Sequence, residues 1–235
     1  QEKNARLVST IAAEFPIHTS LAENRSLLGR YTEILEDCVK GGFTAKEFLE
    51  QIRKEGLETP DEDIHKQLFK EVSRLNKEDR NRVWARIIKN AFAPLFVGKV
   101  DYVAGNPPWV NWESLPPVYR DSVKPLWQRY GLFSLSGAEG RLGGGKKDLS
   151  MIFTYACVDQ YLNDGGKLGF VITQTVFKTK GAGDGFRRFR FQHATNGKAG
   201  QVFLNVKSVH DMSDFQPFEG ATNKTATFTL ERSDV

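Results

Sequence analysis

Apolar and polar positions recur with a helical period up to about residue 98 and with shorter, strand-like runs beyond it. In the first part, apolar residues fall at helical spacing in three groups: Leu27, Leu28, Tyr31, Ile34 and Leu35; Phe48, Leu49 and Ile52; and Ile64, Leu68, Phe69, Val72 and Leu75. Start signals precede them. Ser20-x-x-Glu23 and Thr44-x-x-Glu47 have capping-box spacing. Thr59-Pro60 places a proline at the first helical position, where its missing N–H does no harm. Gly41-Gly42 and Gly56 are natural stops. A last helix is expected from about Lys77 to Ala91, with Val83, Trp84, Ile87 and Ile88 on one side and Pro94 ending it. Residues 1–98 therefore read as a helical lead-in whose apolar stripes form a core.

The pattern over residues 99–235 differs. Lys99 to Ala104 (KVDYVA) is a short strand, ending at Gly105-Asn106-Pro107-Pro108-Trp109. Residues 110–147 are rich in Pro, Gly and Ser, with a short helix expected near 116–130. Gly143–Gly145 reads as a flexible insertion loop, and Asp148 as the N-cap of a helix to about Asn163 that Gly165-Gly166 stops. Lys167 to Thr173 (KLGFVIT) reads as a buried strand. A mobile loop containing Gly181-x-Gly183-x-Gly185 is expected next, then a short basic helix over Phe186 to Phe191. Gln201 to Val206 and Lys224 to Leu230 read as further strands, able to form an antiparallel edge. Strand, helix, strand, helix, strand is an α/β pattern.

Composition narrows the class. The 235 residues are 40% apolar and 26% charged, which rules out wholesale disorder. No apolar run nears the roughly 20 residues of a membrane helix, and the start lacks the apolar stretch of a signal peptide. Cys38 and Cys157 form no disulfide framework, so a cytoplasmic, reducing location is expected. His18, His65, His193 and His210 show no zinc-site spacing, and no metal is expected. Residues 1–98 carry 16 basic and 16 acidic residues, so the net +4 belongs to the second part. Six basic residues against Asp184 crowd residues 178–198, which fits phosphate contact or a solvated helix face alike.

Asn106-Pro107-Pro108-Trp109 carries the most specific chemistry. Ligands of open α/β sheets bind beyond the carboxyl ends of strands. Two prolines fix the loop and supply no N–H. The Asn106 amide oxygen and the Pro107 carbonyl are two acceptors that match the two hydrogens of an exocyclic amino group. Such bonding draws the nitrogen lone pair out of conjugation and aims it at an electrophile. Trp109 offers a flat face for a planar base. A rigid turn without chemistry has the same residues.

With these residues in view, the chain over 99–232 resembles the second half of the S-adenosylmethionine-dependent N6-adenine DNA methyltransferases. VDYVAGNPPW is similar to their strand ending in Asn/Asp/Ser-Pro-Pro-aromatic. KKDLSMIFTYACVDQYLNDGGKLGFVIT follows their helix-to-strand order, and PFEGATNKTATFTL their late phenylalanine. The long lead-in and wide insertion resemble restriction–modification and phage-defence methylases. The resemblance implies a partial Rossmann-like methyltransferase sheet after a helical region, split as 1–98 and 99–235. It implies that Asn106 and Pro107 accept from the adenine N6 group in a loop stiffened by Pro108. Trp109 and Phe218 would stack on the flipped base. Phe153, with Asn106 nearby, would line the S-adenosylmethionine site, although Phe153 also fits plain core and Phe218 ordinary packing. Lys146, Lys147, Lys178, Lys180, Arg187 and Arg188 would meet DNA phosphates.

The family's Gly-rich cofactor turn is missing from residues 1–98, where Gly41-Gly42 lies between two helices. The chain is therefore expected to be a fragment of a longer methyltransferase, inactive alone. Its partners would be double-stranded DNA, the rest of its polypeptide or a second copy, and no membrane. The edge of the first strand would need a cover. The alternatives are methylation of another planar amine, such as a protein glutamine, and a non-catalytic DNA-binding or assembly module.

Overall fold

A computed structural model describes residues 4–10, 13–58, 60–78, 84–133, 147–178, 183–195, 198–215 and 223–235. The chain divides into two compact units, Gln1–Val97 and Gly98–Val235.

The first unit is not wholly helical. It opens with a two-stranded antiparallel ladder, β1 (Ala5–Ser9) and β2 (Glu14–His18), with Val8 opposite Phe15. Five-residue strands are too short to show a period against the helical runs that follow. Pro16 is tolerated because a two-stranded ladder consists only of edges. Among the described residues five helices follow: α1 (Thr19–Ala22), α2 (Arg25–Lys40), α3 (Ala45–Lys54), α4 (Glu62–Lys77) and α5 (Trp84–Phe92).

Their starts sort the capping signals. Thr44 and Glu47 form the reciprocal box: Thr44 N donates to Glu47 Oε2 at 2.7 Å, and Glu47 N to Thr44 Oγ1 at 3.3 Å. Ser20-x-x-Glu23 caps nothing, because Ser20 lies inside the one-turn α1 with its Oγ 2.7 Å from His18 Nδ1. Asn24 caps α2 instead, its Oδ1 accepting from Ser26 N and Leu27 N at 3.1 Å each. Helix α4 starts later than Thr59-Pro60 suggests, after Asp61 at φ 53°, and runs through Lys77. Thr59 and Val83 lie outside the described residues. The helix expected from about Lys77 to Ala91 is described from Trp84 to Phe92, since Lys77 still belongs to α4, and Pro94 lies in the 3-10 turn over Ala93–Phe96 that follows it, where a missing N–H costs nothing.

Phe15, Tyr31, Leu35, Phe48, Ile52, Leu68 and Ile88 form the centre of this unit's core. Tyr31 Oη lies 2.9 Å from His65 Nδ1, and His65 Nε2 lies 3.1 Å from the Pro60 carbonyl. Burial brings the His65 imidazole down to about 4. The ring is therefore neutral, with Nε2–H donating to Pro60 and Nδ1 accepting from Tyr31.

The second unit is a five-stranded mixed sheet in the order β3-β4-β7-β6-β5, with helices α6 (Pro117–Arg129) and α7 (Leu149–Tyr161). Strand β3 (Val100–Gly105) runs parallel to β4 (Leu162–Thr173). Strands β7 (Thr225–Asp234), β6 (Lys198–Asp211) and β5 (Arg190–Thr195) are each antiparallel to their neighbours. The sheet and its helices make a mixed α/β fold.

Three expectations need correction. The β6–β7 pair is antiparallel but is no edge, because β7 lies between β4 and β6. The expected basic helix over Phe186 to Phe191 is only a 3-10 turn over Phe186–Arg188, which ends at Phe189 with φ 48° and leads into β5. Arg190 outward and Phe191 inward is the two-residue period of a strand. Helix α7 ends at Tyr161, before the glycines, since β4 already begins at Leu162.

Leu168, Phe170 and Ile172 of β4 alternate into the core, where they meet Phe228 and Leu230 of β7 and Met151, Tyr155 and Val158 of α7. A charged hub lies at the end of α7. The fully buried Asp159 carboxylate accepts from Tyr130 Oη at 2.9 Å and pairs with Arg129 at 3.0 Å. His193 Nδ1 stands 2.9 Å from its other oxygen, an ion-pair distance out of line for a hydrogen bond. Arg232, also buried, donates to the carbonyls of Val158, Asp159 and Leu162 and so satisfies the open end of the helix.

Candidate active site

Because β3 and β4 are parallel, both finish on the same side of the sheet, with Gly105 opposite Phe170. The Asn106-Pro107-Pro108-Trp109 loop leaves β3 at this tip. Asn106 is exposed, and its side-chain amide enters no hydrogen bond among the described residues. Pro107 is buried and Pro108 exposed, so the first proline anchors the loop while the second stands out. Trp109 is half-buried, and its indole N–H donates to the Val171 carbonyl of β4 at 3.3 Å. That bond fixes the ring against the neighbouring strand.

The exit of the loop is tied to the start of α7. Leu149 N donates to the Val110 carbonyl at 2.9 Å, and Trp112 N to the Lys147 carbonyl at 2.7 Å. Asp148 is the N-cap of α7, with Oδ1 accepting from Ser150 N at 2.8 Å. Burial pushes its carboxyl pKa up. One turn into α7, Phe153 is 37% exposed and takes no place in the apolar cluster, unlike Ile152 beside it. Its side chain is thus partly open to solvent.

The remaining singled-out residues scatter. Phe218, Lys146 and Lys180 lie outside the described residues. Lys147 is 5% exposed, its ammonium 5.8 Å over the Phe133 ring. The Arg187 guanidinium donates to the Val176 and Phe177 carbonyls and to Asp184. Arg188 is exposed, and the exposed Lys178 ammonium bonds Gln174 Oε1 at 2.7 Å. Gly183 and Gly185 belong to a packed turn rather than a mobile loop: a Cβ on Gly185 would meet the Gly131 and Leu132 carbonyls at 2.7 and 2.8 Å.

Gln174, which carries no motif, directly follows β4 at the same tip and is 5% exposed. Its Nε2 donates to the Asp211 carboxylate, to Ser213 Oγ at 2.6 Å and to the Thr225 carbonyl at 3.2 Å. Only the run of polar residues ending a buried strand, Thr173-Gln174-Thr175, hints at it in the sequence. Among the described residues no cluster of His, Cys, Asp or Glu is arranged for a metal, and no helix is long and apolar enough to cross a membrane.

Comparison with known proteins gives the chain a family. A search of curated proteins finds no match. The family model described as Eco57I restriction-modification methylase matches residues 16–209, which take in most of the first unit, the Asn-Pro-Pro-Trp loop, α7 and β4. The match takes in most of the chain, and a restriction-modification methylase family supports a DNA methyltransferase role. The chain belongs to the Eco57I restriction-modification methylase family.

Proposed function

We propose that the chain carries the target-base face of an enzyme that methylates adenine N6 in double-stranded DNA, with S-adenosylmethionine as donor. One observation carries this reading: the free, exposed Asn106 amide on a proline-stiffened loop at the carboxyl tip of β3. Asn106 Oδ1 and the Pro107 carbonyl accept the two N6 hydrogens of an extruded adenine. These bonds hold the nitrogen lone pair out of the ring's conjugation; the nitrogen–methyl bond would form as the donor's methyl–sulfonium bond breaks, a neutral thioether would leave, and the N6 proton would pass afterwards to water. Orientation and electrostatics then supply the rate, without a base acting beforehand. Trp109 stacks on the base and offsets part of the few kcal/mol that extrusion costs. The donor fits the residues present on one flank: the open ring of Phe153 would hold its adenine, with Asn106 bordering it. The donor's chemistry is an electrophilic methyl group on a positively charged sulfonium. Among the described candidates, exposed Arg188 would meet phosphates, as would exposed Lys178, which pairs with Asp211 at 3.5 Å.

The reading is tested with the full natural polypeptide and labelled donor. A plasmid free of methylation is expected to take up label, and the same plasmid amplified with N6-methyladenine in place of adenine to refuse it. Equal uptake by both points to another base and overturns the assignment. Calorimetry with S-adenosylmethionine is expected to give a weaker dissociation constant for Phe153→Ala, by about tenfold, and an unchanged one contradicts that role.

A further inference from the structure

We propose that Phe215 is a further DNA contact beside the target base, and that Gln174 is the positioning residue that presents it. The inference rests on the methyltransferase reading above. Phe215 follows β6 in a turn closed by its own N–H to the Met212 carbonyl at 3.1 Å. Its ring is 62% exposed, a large apolar surface left in water.

The turn is held from outside itself. Ser213 N donates to Asp211 Oδ1 at 2.8 Å, and the buried Gln174 amide binds both Asp211 and Ser213 Oγ. Gln174 N donates to the Lys224 carbonyl at 3.0 Å, and Met212 N to the Thr225 carbonyl at 3.0 Å. The end of β6 and the start of β7 are thereby fastened to the end of β4. Strand β4 also holds Trp109 through Val171, three residues before Gln174. The indole and Phe215 therefore stand on one sheet tip and are both fixed to the same strand.

An exposed aromatic at such a place suits a duplex from which a base has been extruded. Phenylalanine is among the apolar side chains that wedge between base steps. Exposed Lys224 adds a positive charge beside the turn for the backbone, while Lys178 pairs with Asp211 of the turn at 3.5 Å.

The test measures duplex affinity by fluorescence anisotropy for the full natural polypeptide, with thermal unfolding as control. Phe215→Ala is expected to weaken binding about tenfold with an unchanged melting temperature, and Phe215→Trp to restore it. Gln174→Leu is expected to weaken binding similarly, and the double variant no further than either alone. Should Gln174→Leu fail to fold, Ser213→Ala is the milder probe of the same turn, with the same non-additivity expected. Binding by Phe215→Ala within twofold of wild type overturns the contact, and additive losses overturn the part given to Gln174. A wild type that methylates adenine while Phe215→Ala binds normally sinks this inference alone. A wild type that methylates no DNA base, with Phe215→Ala impaired, sinks the methyltransferase reading and leaves the contact standing.

Discussion

In the proposed reading, Asn106 and Trp109 divide the work at the tip between hydrogen bonding and stacking. Base–aromatic stacking contributes about 1–3 kcal/mol, so Trp109→Ala is expected to weaken duplex binding by about ten- to a hundredfold, while Trp109→Phe keeps most of it. Anisotropy titration measures both, and equal losses would show that the indole N–H, bonded to Val171, matters more than the ring face. A second residue-scale prediction concerns His65. Burial lowers its folded pKa to about 4 against an ordinary 6.5, so between these values the unfolded chain binds more protons. Stability therefore rises with pH across this window and falls as pH drops through it, by about 3 kcal/mol at most. Chemical unfolding of wild type and His65→Gln at pH 7 and pH 4.5 is expected to show a smaller acid loss in the variant. Both residues stand in the sequence, but only one could be read there. Asn106 announces itself through its prolines. His65 looks like any histidine until the fold brings Tyr31 and Pro60 to its ring.

At the scale of elements, chemistry local to a few residues was legible and chemistry set by distant backbone was not. The Thr44–Glu47 box works as its spacing says because both partners lie within one turn. Thr44→Ala is expected to cost about 1 kcal/mol in denaturant unfolding of the first unit. Ser20-x-x-Glu23 has equal spacing and fails because His18 engages Ser20 first. Strand β5 was hidden by its charge: Arg187, Arg188 and Arg190 suggest a helix face, yet the left-handed Phe189 breaks the run. Gly183 and Gly185 were similarly misleading: Gly183 faces the Val176 carbonyl and the Arg187 side chain, and Gly185 faces backbone some fifty residues earlier. Gly185→Ala must push against two carbonyls and is expected to lower stability by about 1–3 kcal/mol. An unfolding midpoint equal to wild type would contradict the packing described.

For the whole molecule, the change of hydrophobic period near residue 98 falls beside the boundary between the two units. The α/β class followed from the order of strands and helices. The place of β7 between β4 and β6 did not, because pairing across the sheet depends on which strand reaches β4 first and leaves no local mark. The acceptor loop's surroundings were legible only in part: Trp109 from its motif, Gln174 from almost nothing. The excess of basic residues beyond residue 98 predicts duplex affinity that falls steeply with salt, because each phosphate contact releases counterions. Replacing exposed Arg188 by Gln is expected to reduce the salt slope by about 1, and an unchanged slope removes it from the DNA face.

The most direct measurement is the nucleoside that carries the label after transfer from S-adenosylmethionine to unmethylated plasmid DNA, for wild type and Asn106→Ala. The account predicts N6-methyldeoxyadenosine from the wild type and a loss on the order of a hundredfold or more in the variant, with DNA binding retained. Label on cytosine or on protein glutamine, or adenine methylation that survives Asn106→Ala undiminished, would contradict it.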